Sequence, residues 1–113
     1  MYATILHPQI EIKTSDSRSL VPSKISLTDV ISQLSSVGSF IHALHTSNFD
    51  LLGKSIKDLI AEPKRMKLIP YYENLKDIAV KSGSLGTSIS GSGPSIFSLT
   101  KGIDTAKEIQ NQL

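Results

Sequence analysis

Cysteine and tryptophan are missing from this 113-residue chain, and aromatic residues of all kinds make up only 5% of it. Without cysteine there is neither a disulfide nor a thiolate metal site, and the composition suits a reducing compartment. Charge of neither sign accumulates: 12 lysines and arginines stand against 10 aspartates and glutamates, a formal net charge of +2. The longest basic cluster is Lys64-Arg65 followed by Lys67, with no aromatic residue interleaved. Nucleic-acid recognition calls for a basic face with stacking aromatics, so no nucleic-acid partner is expected. No apolar run reaches membrane-spanning length, and the N-terminus lacks the basic-then-apolar order of a secretory signal, so no membrane partner is expected either. These absences lead to the expectation of a soluble, cytoplasmic protein.

What is present fits one modest domain. The 39% apolar and 19% charged fractions are ordinary for a globular chain, and 113 residues support a single core. Tyr2 to Lys13 alternates bulky and polar residues, which predicts one strand interrupted near His7-Pro8. Thr14, Ser15 and Asp16 are candidate caps for a short helix ending before Pro22. Ser26 opens a longer helix, with Asp29 at the reciprocal capping position. Its apolar residues, Leu27, Val30, Ile31, Leu34, Val37, Ile41 and Leu44, recur every three or four positions and predict one buried face. Further helices are predicted over 51–60, 72–81 and 104–112, the last capped by Asp104, with an irregular stretch framed by Pro63 and Pro70. Strands are predicted over 85–90 and 95–100. The order is strand, helices, strand, strand, helix: a split βαβ pattern without its last strand. The sequence therefore reads as cut at its C-terminus, with a sheet edge left unfilled.

The chemistry is concentrated in "SISGSGPSIF", Ser88 to Phe97. Gly86 and Gly91 have P-loop spacing, but Ser92 stands where that motif needs lysine. A dinucleotide fingerprint needs a third glycine where this chain has Ile96. Both nucleotide motifs fail, leaving either a plain hairpin or a turn whose free backbone N–H groups could form an anion-binding nest. His42 and His45, at i and i+3, have no acidic partner at metal-ligand spacing and read as helix-surface residues, so no metal site is expected. His7 reads as a packing residue, and the Ser95 hydroxyl as a bond to the turn backbone.

"GTSISGSGPSIFSL" resembles the third motif of the GHMP kinases, the galactokinase, homoserine kinase, mevalonate kinase and phosphomevalonate kinase superfamily. "ILHPQIEIKTSDSR" and "EPKRMKLIP" resemble the homoserine kinase branch in particular. The three motifs stand in family order from Ile5 to Leu99. The resemblance implies an α+β fold: a ferredoxin-like GHMP kinase C-terminal domain over residues 1–113, with an antiparallel sheet, helices packed on one face and no final strand. It implies transfer of the γ-phosphoryl of ATP to the hydroxyl of L-homoserine, in the threonine pathway. The ATP loop, the Mg2+-binding acidic residues and the catalytic groups are then expected in an N-terminal domain absent from this chain. ATP and Mg2+ belong to the full-length enzyme, and neither tight binding nor activity is expected of this chain alone.

By the same resemblance, Arg18 and Arg65 bind the substrate carboxylate, which a guanidinium fork matches bidentately. Thr14 lies near the substrate hydroxyl, and Ser90, Gly91, Ser92 and Gly93 support the phosphate loop. Glu62 is a candidate to hold Arg65 in place. The implied partners are L-homoserine, the missing N-terminal domain and, through exposed interface and sheet edge, a second copy in a homodimer. Without the resemblance, Arg18 reads as a solvated helix arginine and Arg65 as one of a basic surface cluster. Two departures stand out: Tyr71 where the family usually has glycine after "LIP", and Ser17 where alanine is common before the arginine. The competing readings are a stand-alone ferredoxin-like module that binds an amino acid for regulation, and a subunit of a split kinase.

Overall fold

The computed structural model describes residues Met1–Leu113. The elements are β1 (Tyr2–Leu6), α1 (Thr14–Ser19), α2 (Leu27–Thr46), α3 (Phe49–Ser55), α4 (Glu62–Arg65), α5 (Tyr72–Lys81), β2 (Gly86–Ile89), β3 (Ile96–Thr100) and α6 (Ile103–Gln112), with a 3-10 turn at Met66–Leu68. The three strands form an antiparallel sheet in the order β1-β3-β2. The outer edge of β1 is unpaired.

Cross-strand register decides which side chains share a face. Leu6, Ile96 and Ile89 align across the sheet, as do Thr4, Ser98 and Thr87. This face carries the core: Ile96 packs with Ile69 and Tyr72, surrounded by Leu6, Ile12, Met66, Leu75 and Ile89. α5 and α6 cover it, burying Ala79, Ala106 and Ile109. The small Thr and Ser residues allow close approach, and their hydroxyls are all paired. Thr87 Oγ1 donates to Ser98 Oγ at 3.1 Å, Ser98 Oγ to Ser84 Oγ at 2.7 Å, and Thr4 Oγ1 to the Ala106 carbonyl at 3.1 Å. No buried side-chain polar atom is left without a partner. On the opposite face, Ile56 after α3 closes onto Gly86, while Ile5 stays 60% exposed.

Several expected elements shift for identifiable reasons. The first strand stops at Leu6 and does not resume over 9–13, because its ladder partner β3 begins at Ile96 and no strand lies beyond it. Ile12 still reaches the core from an unpaired segment. α1 begins at Thr14, but no side chain caps it. Asp104 likewise lies inside α6, after Gly102 at the cap. α3 ends at Ser55, not near Ile60, because Asp58 diverts the chain by taking the amides of Ile60, Ala61 and Glu62. Ser26 caps α2 as expected, accepting from the Asp29 amide at 3.2 Å.

The largest correction concerns α2. Its apolar face, expected to be buried, is largely open: Leu27, Ile31, Leu34, Val37, Ile41 and Leu44 are all at least 41% exposed, and Val30 is half-buried. The helix packs on α3 through its other side, where Ala43 is buried and Gln33 donates to the Lys57 carbonyl and accepts from the Leu59 amide. Spacing of three and four reports an amphipathic helix, but not which neighbour its apolar face meets.

Candidate functional site

Three segments distant in sequence meet at one end of the sheet: α1, α4 and the turn joining β2 to β3. The turn is closed by Ser90 N–H to the Ser95 carbonyl at 2.8 Å and Gly93 N–H to the Ser90 carbonyl at 3.1 Å. Gly91 and Gly93 have φ of 59° and 85°, and the Gly93–Pro94 peptide is cis. Both φ values lie in the left-handed region that favours glycine. At Gly93 a Cβ would also meet Ile89 at 3.4 Å, so this turn is pressed against the core.

α1 holds the turn from one side. Ser17 is fully buried, and its Oγ donates to the Ser92 carbonyl at 2.7 Å. Arg65, from α4, closes the triangle: Nε donates to the Ser17 carbonyl at 3.1 Å and Nη1 to the Gly91 carbonyl at 3.4 Å. The Ser17 carbonyl belongs to the last turn of a short helix, where orphan acceptors attract cations. Arg65 therefore ties both other segments together with two donors and keeps Nη2 free.

The resulting corner faces outward. The Gly91 and Ser92 amides donate to no acceptor within the protein. Because the Gly91–Ser92 peptide is trans, the Gly91 carbonyl that meets Arg65 forces the Ser92 N–H to point the opposite way. Two unengaged amides at a turn with positive φ, beside a guanidinium, suit an anion. Arg18 and Thr14 lie on α1, exposed, and their side chains hydrogen-bond to no other group. Ser90 and Gly91 are exposed, Ser92 and Gly93 half-buried. The structure thus joins Arg65 to the glycine turn, and brings Arg18 close only through its neighbour Ser17. Ser17 itself, which looked like a mild departure, is the linchpin that sequence reasoning missed. No signal short of the fold marks a serine as buried.

Glu62 does not touch Arg65, contrary to expectation. It is buried beneath α4, where Oε1 accepts from the Tyr72 hydroxyl and from Lys76 Nζ at 2.6 Å, and Oε2 from Ser88 Oγ at 3.0 Å. Burial, reinforced by the hydrogen bond to Glu62, raises the Tyr72 pKa well above the ordinary phenol value. Asp58 caps the same N-terminal end of the segment through three backbone amides, at 2.8 to 3.0 Å. The N-terminal end of the four-residue α4 is thereby fixed twice over, one turn before Arg65.

Ser95 Oγ pairs with His7 Nδ1 at 2.8 Å, not with the turn backbone, and His7 is exposed where packing was expected. His42 and His45 are exposed on α2. Tyr71 adopts φ 60°, ψ 20°, so the tyrosine takes the left-handed conformation that glycine would take freely. A cleft of about 480 Å³ is lined by Met66, Ile69, Pro70, Tyr71 and Tyr72, but neither Arg65 nor the glycine turn lines it.

The class the fold defines is a small α+β domain with a three-stranded antiparallel sheet that presents a glycine turn at its end. The family model for the C-terminal domain of GHMP kinases matches residues 40–113. The chain belongs to that family. It is 44% identical over 109 residues to a homoserine kinase of Chlorobium phaeobacteroides, covering 96% of this chain and 34% of the relative. It is 42% identical over 106 residues to the homoserine kinase of Chlorobium phaeovibrioides, covering 94% of this chain and 33% of that protein. The crystal structure of homoserine kinase from Cytophaga hutchinsonii superposes with a TM-score of 0.95 at 41% identity, over 97% of this chain and 35% of that one. A structure from Listeria monocytogenes, at 20% identity and a TM-score of 0.60, shares the fold alone. The chain thus spans about a third of the length of these relatives.

Proposed function

We propose that this chain is the substrate-binding, C-terminal part of a homoserine kinase, which moves the γ-phosphoryl of ATP onto the hydroxyl of L-homoserine to give O-phospho-L-homoserine in threonine biosynthesis. The observation that carries the reading is the Arg65 bridge from α1 to the glycine turn, in a chain 44% identical to a homoserine kinase. In this reading the free N–H groups of Arg65, with Arg18 from the adjoining helix, take the substrate carboxylate. Thr14, at the head of α1, lies on the hydroxyl side. The turn from Ser90 to Gly93 presents fixed amide dipoles near the transferring phosphate, where preorganised donors lower the barrier without reorganising.

ATP and Mg2+ supply the phosphoryl group and its charge neutralisation. Their fit to this chain is partial. The Gly91 and Ser92 amides suit phosphate oxygens, but no cluster of three or more acidic or histidine side chains is available for a cation, and the turn has no lysine. In the proposal, nucleotide and cation are held by residues beyond this chain, which also close the open corner, and the reaction takes place in the cytoplasm.

Calorimetric titration of L-homoserine into the chain tests the binding half of the reading. Arg65→Ala should weaken binding about 30- to 100-fold, the equivalent of losing about 2–3 kcal/mol of charge-assisted hydrogen bonds. Tight binding of a different amino acid, indifferent to Arg65→Ala, would instead establish the regulatory module.

A further inference from the structure

α1 is hydrogen-bonded to the rest of the domain through a single residue. Within this helix only Ser17 is buried; Thr14, Ser15, Asp16, Arg18 and Ser19 are exposed. The bonds that tie the helix to distant elements both meet at Ser17. Its Oγ donates to the Ser92 carbonyl at 2.7 Å, and its own carbonyl accepts from Arg65 Nε at 3.1 Å. One bond ends on the glycine turn and the other on α4. No other protein group donates to the Ser92 carbonyl. The turn is ordered from within: the Gly93 amide bonds back to the Ser90 carbonyl, and φ is positive at Gly91 but not at Ser92, the pattern of a type II′ turn. Its shape therefore does not depend on α1, but its placement against α1 does.

We propose that Ser17 is a positioning residue for phosphoryl transfer, which holds α1 and the glycine turn at the separation where the acceptor hydroxyl meets the phosphoryl group. The inference rests on the substrate reading of Arg18, Arg65 and the turn given above. In that reading α1 and Arg65 hold the acceptor, while the turn faces the phosphate. Reacting atoms must be held about 3–3.5 Å apart, and a misplacement of about 1 Å can cost on the order of a hundredfold in rate. A serine hydroxyl sits one bond from its Cβ, so the link to the Ser92 carbonyl is short and stiff. The two bonds of Ser17 are also separable. Alanine at this position removes the hydroxyl and its hold on the turn, but leaves the backbone carbonyl that receives Arg65. α1 then pivots about Arg65: the carboxylate site stays together and its alignment with the turn is lost. Binding and turnover should therefore respond differently to this one substitution.

The test is steady-state kinetics of the intact gene product with ATP, Mg2+ and L-homoserine, counting ADP and O-phospho-L-homoserine separately. Ser17→Ala should lower kcat about tenfold while KM for L-homoserine and for ATP stays within about twofold. The ADP formed per O-phospho-L-homoserine should rise, because water attacks the phosphoryl group without being aligned by α1. Simple loss of folded enzyme lowers the rate but leaves that ratio at its wild-type value. Without nucleotide, amide exchange across α1 should quicken in Ser17→Ala while exchange in β3 holds. Ser17→Cys, close in size but a weak donor, should fall between wild type and Ser17→Ala, and it decides the matter if Ser17→Ala does not fold. A wild-type protein that makes no O-phospho-L-homoserine removes the proposed function and this inference with it. Wild-type transfer with unchanged kcat, product ratio and α1 exchange in Ser17→Ala overturns the inference alone, as does a change confined to KM for L-homoserine.

Discussion

At the scale of single residues, the corner rests on side chains chosen for geometry more than for charge. Tyr71 is the exception that carries strain. It is 77% exposed at φ 60°, a conformation that costs a side chain with a Cβ about 1 kcal/mol relative to glycine. Tyr71→Gly should therefore raise thermal stability by several degrees, since no packing is lost; an unchanged or lower melting temperature would show that the tyrosine earns its place by contact. Glu62 makes the opposite case. Glu62→Ala strands the Tyr72 hydroxyl and Ser88 in the interior, and should cost about 3 kcal/mol in chemical denaturation, discounted for the partly exposed Lys76. Tyr72 also sets an alkaline limit. Its folded pKa lies above the ordinary phenol value of 10.0, so the stability it contributes is intact below pH 10 and is lost as pH rises beyond that. A stability profile from pH 8 to 11 should fall at the alkaline end for the wild type and fall less for Tyr72→Phe, which starts lower by about 1 kcal/mol.

The individual elements were unevenly legible from the sequence. α5 appears over Tyr72–Lys81 as expected, because its propensity, its periodicity and the glycine after it all agree. Ser26 was readable as a cap because capping is local chemistry; Ser26→Ala should cost about 1 kcal/mol and speed amide exchange in the first turn of α2, leaving exchange in β3 unchanged. What failed was non-local. The end of β1 is fixed by where β3 turns away, and the exposure of the α2 stripe by what packs beside it. Local patterns contain neither fact. The site divides the same way. The glycine turn was visible as a turn, and Arg18 and Arg65 entered through family resemblance, but the Ser17–Ser92 bond joins residues 75 apart in sequence. The true partners of Glu62 were hidden for the same reason: Tyr72 and Lys76 lie on the next helix, and Ser88 on a strand 26 residues away.

For the molecule as a whole, the proposed function makes this arrangement one part of a larger reaction centre. The sheet and its two covering helices form a closed core, while the functional corner, the outer edge of β1 and the α2 stripe remain open. The chain spans about a third of its homoserine kinase relatives, and a phosphoryl-transfer site needs a nucleotide, a cation and exclusion of water. The most direct test is phosphoryl transfer itself, followed by phosphorus NMR in the intact gene product with ATP, Mg2+ and L-homoserine. The proposed function predicts O-phospho-L-homoserine as product, and an Arg65→Ala variant whose KM for homoserine rises at least tenfold while its KM for ATP holds. Absence of transfer to homoserine, or an Arg65→Ala enzyme with unchanged homoserine kinetics, would contradict it.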